Sequence, residues 1–324
     1  MKRALICGIS GQDGSYLAKL LLSKNYEVCG TSRDAQMSSF ANLRRLGILD
    51  DVRIESMSLN DSRSVSQTLL SVGPDEIYSL AGQSSVGLSF HQPLETLESI
   101  GVGSLNLLEA IRFTGRPVKL YNACSGECFG ENTGSPATED TPFRPRSPYA
   151  VAKATAFWQV ANYREAYGMF ACSGILFNHE SPLRPERYVT KKIVAAACRI
   201  AAGGKEKLRL GNISIQRDWG WSPEYVEAMW RMLQQKDPND FVVATGETRS
   251  LEEFTSAAFS SVRLEWRDHV TIDKELLRPT DLMVSKANPQ KARILLNWQA
   301  QYRMEDVVRM MVESELSGDN HRSP

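Results

Sequence analysis

Three glycines within seven residues, Gly8-Ile9-Ser10-Gly11-Gln12-Asp13-Gly14, follow the apolar run Ala4-Leu5-Ile6-Cys7 and lead into Tyr16 to Lys24, which has the spacing of a helix. Small residues between a strand and a helix let the backbone turn tightly and let a diphosphate approach the helix N-terminus. The spacing is G-x-x-G-x-x-G, and three glycines alone mark a turn as readily as a nucleotide loop. Their place between the first strand and the first helix favours the nucleotide loop.

The same rhythm continues. Glu27 to Thr31, Val52 to Ser56, Glu76 to Leu80, Val118 to Asn122 and Ala171 to Phe177 read as strands, with helix-compatible segments such as Thr96 to Phe113 between them. Strands alternating with helices predict a parallel sheet covered on both faces, a doubly wound α/β (Rossmann) fold. After Phe177 the pattern breaks at Pro182 and Pro185. Residues 1–177 are therefore expected to form a dinucleotide-binding domain, and 178–324 mainly a smaller, interleaved C-terminal substrate domain. A segment of about 211–246 is expected to return to the first domain. The polar tail from Ser317 is expected to fray.

A chain of 324 residues suggests roughly two domains and buries a large core without staples. Its 38 Lys+Arg balance 38 Asp+Glu, which argues against nucleic-acid or membrane-surface partners; an anion site must come from a local cluster. Six scattered cysteines fit a reduced, cytoplasmic interior. Cys124 and Cys128 have no nearby Cys or His to complete a metal shell, so they read as packing residues and no metal is expected. The apolar run before Gly8 is too short for a signal-peptide core, and no stretch approaches a membrane span.

The end of the second strand chooses the cofactor. An acid there accepts from a ribose 2′-hydroxyl, whereas an arginine pairs with a 2′-phosphate. Gly30-Thr31-Ser32-Arg33-Asp34 places Arg33 close to that position and favours NADP over NAD; a one-residue shift to Asp34 would reverse the choice.

Ser147-Pro148-Tyr149-Ala150-Val151-Ala152-Lys153 reads as a helix start, with Ser as N-cap and Pro in the first turn. Tyr149 and Lys153, four apart, share a helical face. A tyrosine acts as a base only if its pKa falls from about 10 toward 7, which needs about 4 kcal/mol. One cation at ~4 Å supplies about that much at an effective dielectric of about 20. Upstream, Asn122-Ala123-Cys124-Ser125-Gly126-Glu127 lies at the expected carboxyl end of the fifth strand, the edge where doubly wound sheets bind ligands. There Ser125 is placed to hydrogen-bond a substrate hydroxyl beside Tyr149, and Glu127 adds a carboxylate.

These features, with Leu80-Ala81-Gly82-Gln83-Ser84, Gly174 to Pro182 (Gly-Ile-Leu-Phe-Asn-His-Glu-Ser-Pro) and Arg217-Asp218-Trp219-Gly220, resemble the extended short-chain dehydrogenase/reductase superfamily, and within it the GDP-mannose 4,6-dehydratases. The similarity runs from Arg3 to about Val312. Asn-His-Glu-Ser-Pro and Arg-Asp-Trp-Gly are its most specific strings.

The resemblance implies a reaction without net redox. Tyr149 takes the proton of the sugar 4-hydroxyl while NADP⁺ accepts hydride from C4, with Lys153 assisting and Ser125 binding that oxygen. Glu127 then removes the C5 proton and helps expel the 6-hydroxyl as water, and the hydride returns to C6. Cofactor contacts are implied at Gly8, Ser10, Gly11, Gln12, Asp13 and Arg33, at Ser58 and Leu59 beside the adenine, at Leu80, Ala81, Gly82, Gln83 and Ser84, and at Lys153, His179 and Arg184. Nucleotide-sugar contacts are implied at Ser84, Ser85, Asn178, Val189, Lys192, Arg217 and Arg278. Of these, Lys192, Arg217 and Arg278 suit a diphosphate, which needs charged donors in a neutral protein. Lys191 is expected to be a solvated neighbour. The Arg33 to Arg45 segment resembles one that reaches a neighbouring subunit's cofactor, which implies a homo-oligomer, a tetramer or a dimer.

Three departures from the family pattern stand out. Ser125-Gly126-Glu127 replaces Thr-Ser-Glu, removing a hydroxyl, so that Glu127 both accepts and delivers the proton. Glu95 stands where relatives can carry a cofactor-contacting tyrosine, and Ser58-Leu59 replaces Asp-Leu. Competing readings are a nucleotide-sugar epimerase or reductase, a 4,6-dehydratase of another sugar such as a GDP-heptose, and a non-catalytic NADP-sensing module. The first needs no carboxylate at Glu127; the last has no use for Ser125, Tyr149 and Lys153 together.

Overall fold

Ala4, Leu5, Ile6 and Cys7 are wholly buried, as a strand covered on both faces requires. A computed structural model describes residues 1–318, so the tail expected to fray from Ser317 falls, past Gly318, outside the described residues. The strands among the described residues are β1 (Arg3–Cys7), β2 (Glu27–Ser32), β3 (Arg53–Ser56), β4 (Glu76–Ser79), β5 (Lys119–Ser125), β6 (Ala171–Leu176), β7 (Asn178–Glu180), β8 (Leu208–Leu210), β9 (Gln216–Trp221), β10 (Phe241–Val243), β11 (Thr248–Ser250) and β12 (Val270–Ile272).

Seven of them form one parallel sheet in the order β10-β6-β5-β4-β1-β2-β3. The chain works outward from β1 in one direction, then crosses back and works outward in the other, which is the doubly wound pattern. One face is covered by the helices Gln12–Ser23 and Ser222–Leu233, which bury Leu17, Leu21, Tyr225 and Met229. Ser62–Val72, Gly103–Thr114 and Pro148–Tyr167 cover the other with Leu69, Leu107, Leu108 and Val160.

Two elements differ from the sequence reading. The fifth strand does not stop at Asn122: Ala123, Cys124 and Ser125 continue it, paired with Gly174, Ile175 and Leu176 of β6, so Ser125 stands on rigid strand backbone. The helix expected over Thr96 to Phe113 is interrupted by a π-helical turn, Glu98–Val102. Ile100, within that turn, packs against Tyr149, Ala152 and Ala156.

Above the carboxyl edge of the main sheet lies a second group of elements. β7, β9 and β11 form a three-stranded sheet in the order β11-β9-β7, and β8 pairs with β12. The helices Val189–Ala201, Leu251–Ser261 and Met304–Leu316 pack their apolar stripes into one core, including Ile193, Ala197, Phe254, Val308 and Met311. Within about 211–246, residues 216–221 belong to the small sheet, whereas the helix 222–233 packs on the main sheet and 241–243 joins it. Among the described residues no helix is long and apolar enough to cross a membrane.

Candidate active site

Ser147 begins the helix Pro148–Tyr167: its hydroxyl accepts the Ala150 N–H at 3.1 Å, and proline occupies the first turn. This fixed start turns Tyr149 and Lys153 toward the end of β5. The Lys153 ammonium donates to the Ala123 carbonyl at 2.7 Å and lies 5.9 Å from the centre of the Tyr149 ring. Ser125 lies beside the Tyr149 phenol, and its hydroxyl accepts the Glu127 N–H at 3.2 Å. Burial pushes Tyr149 upward against the influence of Ser125, and burial pulls Lys153 downward. Cys124 and Cys128 are free buried thiols, and burial pushes Cys128 up.

In the glycine loop, a Cβ at Gly14 would meet the Gly8 carbonyl oxygen at 2.3 Å, so the helix sits against the loop only because residue 14 has no side chain. The helix Gln12–Ser23 has Gly11 as its N-cap and no side-chain acceptor there, leaving its first N–H groups for an anion. The side chains that follow are committed elsewhere. Gln12 donates to the His179 carbonyl at 3.1 Å and accepts from Ser181 at 2.7 Å. Asp13 bonds His179 Nε2 at 2.9 Å and accepts the Ser222 hydroxyl at 2.8 Å. Burial would raise Asp13, but the His179 charge and hydrogen bond together with Ser222 hold it well below the usual carboxylate range. Burial would lower His179, but Asp13 and the Phe177 carbonyl raise it. The His179 ring also stacks on Tyr225 at 4.5 Å.

The remaining expected cofactor positions extend from this loop along the sheet edge. Arg33 directly follows β2, with its side chain 83% exposed and 3.5 Å from Glu95. Asn42 holds the Ser10 carbonyl. Leu59 is buried and its carbonyl accepts from Asn106; the Ser58 N–H donates to Ser64. Leu80 to Ser84 follow β4, with the Gln83 N–H on Ser99 and the Ser84 hydroxyl 2.7 Å from that of Tyr188. Arg184 pairs with buried Glu180 at 3.1 Å and lies over the Tyr188 ring at 3.9 Å. At the far end of the 33–45 segment, Arg45 turns into its own chain, donating to the Pro182 carbonyl and Ser314.

The other end of the site is arginine-rich. Arg217, on β9, is 4% exposed; it donates to the carbonyls of Gln216 and Leu282 and sits 3.8 Å from Glu127 and 3.4 Å from Asp281. Arg278 is 3.6 Å from the same Asp281 oxygen. Burial raises Glu127, while Arg217 and Arg278 pull it down and Asp281 adds to the rise. Next to Arg217, Asp218 accepts three N–H groups, from Thr245, Gly246 and Glu247, and burial pushes it up to about 6. Lys192 donates to the Arg209 carbonyl. Lys191 is a correction: it is buried, not solvated, and pairs with Glu315 at 2.5 Å, because this face of its helix packs under Met304–Leu316.

One cavity of about 400 Å³ joins these parts. Ser125, Glu127, Tyr149 and Lys153 line it, as do Asp13, Leu80, Ser84, Ser85, His179 and Arg184, and toward the arginine end Asn178, Val189, Lys192, Arg217 and Arg278. Gly8, Ser10, Gly11, Gln12, Arg33, Ser58, Leu59, Ala81, Gly82 and Gln83 lie outside its lining. Tyr188 and Asp281 line it too and are absent from the sequence reading. The sequence signal for Asp281 was its place three residues after Arg278.

The family model described as GDP-mannose 4,6 dehydratase matches residues 5–311. GDP-mannose 4,6 dehydratase 1 of Arabidopsis thaliana is 47% identical over 97% of this chain and 90% of its own length. The Dictyostelium discoideum GDP-mannose 4,6 dehydratase is 43% identical over 97% of this chain and 96% of its own. Among solved structures, the Thermus thermophilus UDP-glucose 4-epimerase in complex with NAD superposes with a TM-score of 0.83 at 26% identity, covering 97% of this chain and 98% of that one. The fold is that of a nicotinamide-cofactor enzyme, and with a family match spanning nearly its whole length the chain belongs to the GDP-mannose 4,6-dehydratase family.

Proposed function

We propose that this chain catalyses the 4,6-dehydration of GDP-mannose with NADP as its nicotinamide cofactor. The observation that carries the reading is the convergence of Ser125, Tyr149, Lys153 and Glu127 on one cavity that also holds Arg217 and Arg278. The residues fit a dinucleotide: the uncapped N-terminus of Gln12–Ser23 suits its diphosphate, and exposed Arg33 suits a 2′-phosphate. Because the side chains of Gln12 and Asp13 are engaged by their neighbours, these residues meet the diphosphate through backbone N–H groups. Bound there, the nicotinamide supplies a hydride acceptor and donor.

The protein's own part is proton movement. Ser125 and Tyr149 hold the oxygen on C4, and Tyr149 accepts its proton. Burial opposes an ionised phenol, so the nearby Lys153 ammonium is essential. At ~6 Å from the ring centre and an effective dielectric of about 20 it contributes on the order of 3 kcal/mol, against about 4 kcal/mol for a fall from the ordinary value to about 7 and more once burial is added. Glu127 takes the C5 proton and returns one to the departing 6-hydroxyl. Burial raises its carboxyl and the Arg217 and Arg278 charges pull it down, opposing influences that suit a group with both tasks.

The same reading covers assembly and location. Leu94, Phe113, Val151, Trp158 and Tyr167 are exposed apolar residues on the neighbouring helices at 93–114 and 148–167. A second copy of this chain is their proposed cover. Six free, buried thiols suit a reducing cytoplasm.

The test is product mass spectrometry over a panel of nucleotide sugars. GDP-mannose alone should lose one water, with no build-up of NADPH. Stoichiometric NADPH would reject the dehydratase reading, and water loss from another sugar alone would reassign the substrate.

A further inference from the structure

Arg217 is held chiefly by backbone carbonyls and only weakly by Asp281. One edge of its guanidinium is fixed by the Leu282 carbonyl at 2.7 Å and the Gln216 carbonyl at 2.9 Å, and its Nε faces Glu127 at 3.8 Å. Asp281 adds only a long hydrogen bond of 3.4 Å from the remaining nitrogen, and meets Arg278 at 3.6 Å. Charge-assisted hydrogen bonds that hold geometry are about 2.7–2.9 Å long. A loose carboxylate between two arginines is a weak scaffold, yet it is a full negative charge. It faces the cavity with its side chain 19% exposed, in the subsite that must accept an anion.

We propose that Asp281 sets the affinity for nucleoside diphosphates: its carboxylate bridges Arg217 and Arg278 in the place of a diphosphate and competes with that group for both guanidinium ions. This rests on the reading of Arg217 and Arg278 as diphosphate-binding residues. Two arginines shared with one internal carboxylate bind a dianion less tightly than two arginines alone, and release it more easily. The charges form an alternating row, Glu127, Arg217, Asp281 and Arg278, so a change at Asp281 also reaches Glu127. The charged and titratable groups facing Glu127 are Arg217 on β9, Arg278 and Asp281 on the 273–283 segment, and Tyr149 on its helix.

The experiment is calorimetric titration of the NADP-loaded, full-length enzyme with GDP and, separately, guanosine, for wild type, Asp281→Asn, Asp281→Ala and Arg278→Ala. Asp281→Asn should bind GDP about three- to ten-fold more tightly, the range expected for removing one partly exposed charge contact, with guanosine unchanged. The acidic limb of its kcat profile should also move to lower pH, because Glu127 loses a neighbouring anion. Asp281→Ala should agree in direction. Unchanged or weaker GDP binding in both Asp281 variants, with Arg278→Ala impaired, would overturn the role of Asp281 and leave the diphosphate reading standing. Equal tightening for GDP and guanosine would overturn it too, since the effect would not involve the diphosphate. Undiminished GDP binding by Arg278→Ala would instead remove Arg278 from the diphosphate site, and the proposal with it.

Discussion

The Nε of Arg217 lies 3.8 Å from the carboxylate of Glu127 across the floor of the cavity, on a strand of the small sheet opposite the end of β5. The contact joins the two sheets at the residue proposed to perform the elimination. It also ties the charge state of that residue to the end of the cavity that suits a diphosphate, since Arg278 and Asp281 act on the same carboxyl. Removing a single partner from such a buried pair leaves an uncompensated charge, which costs more than the pair contributes.

Glu127→Gln keeps the shape and removes the proton acceptor. Loss of a general base lowers kcat by about 10²–10⁴, whereas the affinity for GDP-mannose should change little. Washout of the C5 hydrogen in deuterated buffer should cease. Normal turnover by this variant would assign elimination to another group.

Asp13 and His179 make the fold itself pH-dependent. His179 is raised in the folded state, so its contribution is full below about 6.5 and is lost as pH rises through the folded value. Asp13 is lowered, so its contribution is present above about 3.9 and is lost as pH falls. The pair therefore supports the fold most between about pH 4 and 6.5. Asp13→Asn should destabilise by roughly 3 kcal/mol there, and the deficit in urea unfolding should shrink toward pH 9. A deficit that grows with pH would contradict the charged pair.

The elements most legible in the sequence were those fixed by local chemistry. β1 reads as a strand because its run is apolar on both faces, and the helix at 148 because Ser147 and Pro148 are start signals that needed no partner. What escaped depended on distant neighbours. β10 has three residues, too few to display a period, and exists by pairing with β6. Lys191 looked solvated because nothing near it in sequence announces Glu315, 124 positions away. At the site, the motif-bearing residues Ser125, Tyr149, Lys153, His179 and Arg217 were legible, whereas Asp281 and Tyr188 acquire meaning only from what the fold brings to them.

Arg33 and Glu95 together bear on cofactor choice. Arg33→Ala should weaken NADP binding about 10- to 100-fold, the loss of one hydrogen bond between charged groups, with NAD nearly unaffected. Glu95→Gln, which releases Arg33 from its neighbour, should move NADP affinity the other way. Fluorescence titration with both cofactors measures this, and equal losses for NADP and NAD in Arg33→Ala would take Arg33 out of 2′-phosphate recognition.

Trp158 is a large aromatic with 61% of its surface exposed. Placing a charge there leaves the monomer's core untouched but opposes burial against a second copy. Trp158→Glu should sediment at a lower mass than wild type with an unchanged circular dichroism spectrum. An unchanged mass would move the interface off this helix pair.

Gly126 is explained by Phe177. A Cβ at residue 126 would stand 3.0 Å from three carbons of the Phe177 ring, and that ring is itself buried beside Phe129. The aromatic wall fills the space that a side chain at residue 126 needs. Gly126→Ser should lose about 1–3 kcal/mol through overpacking and should not gain activity. Gly126→Ser combined with Phe177→Leu should recover much of that stability, because the smaller side chain can yield. Thermal unfolding of the three variants and wild type closes the cycle, and additive losses in the double variant would show that the two positions are independent.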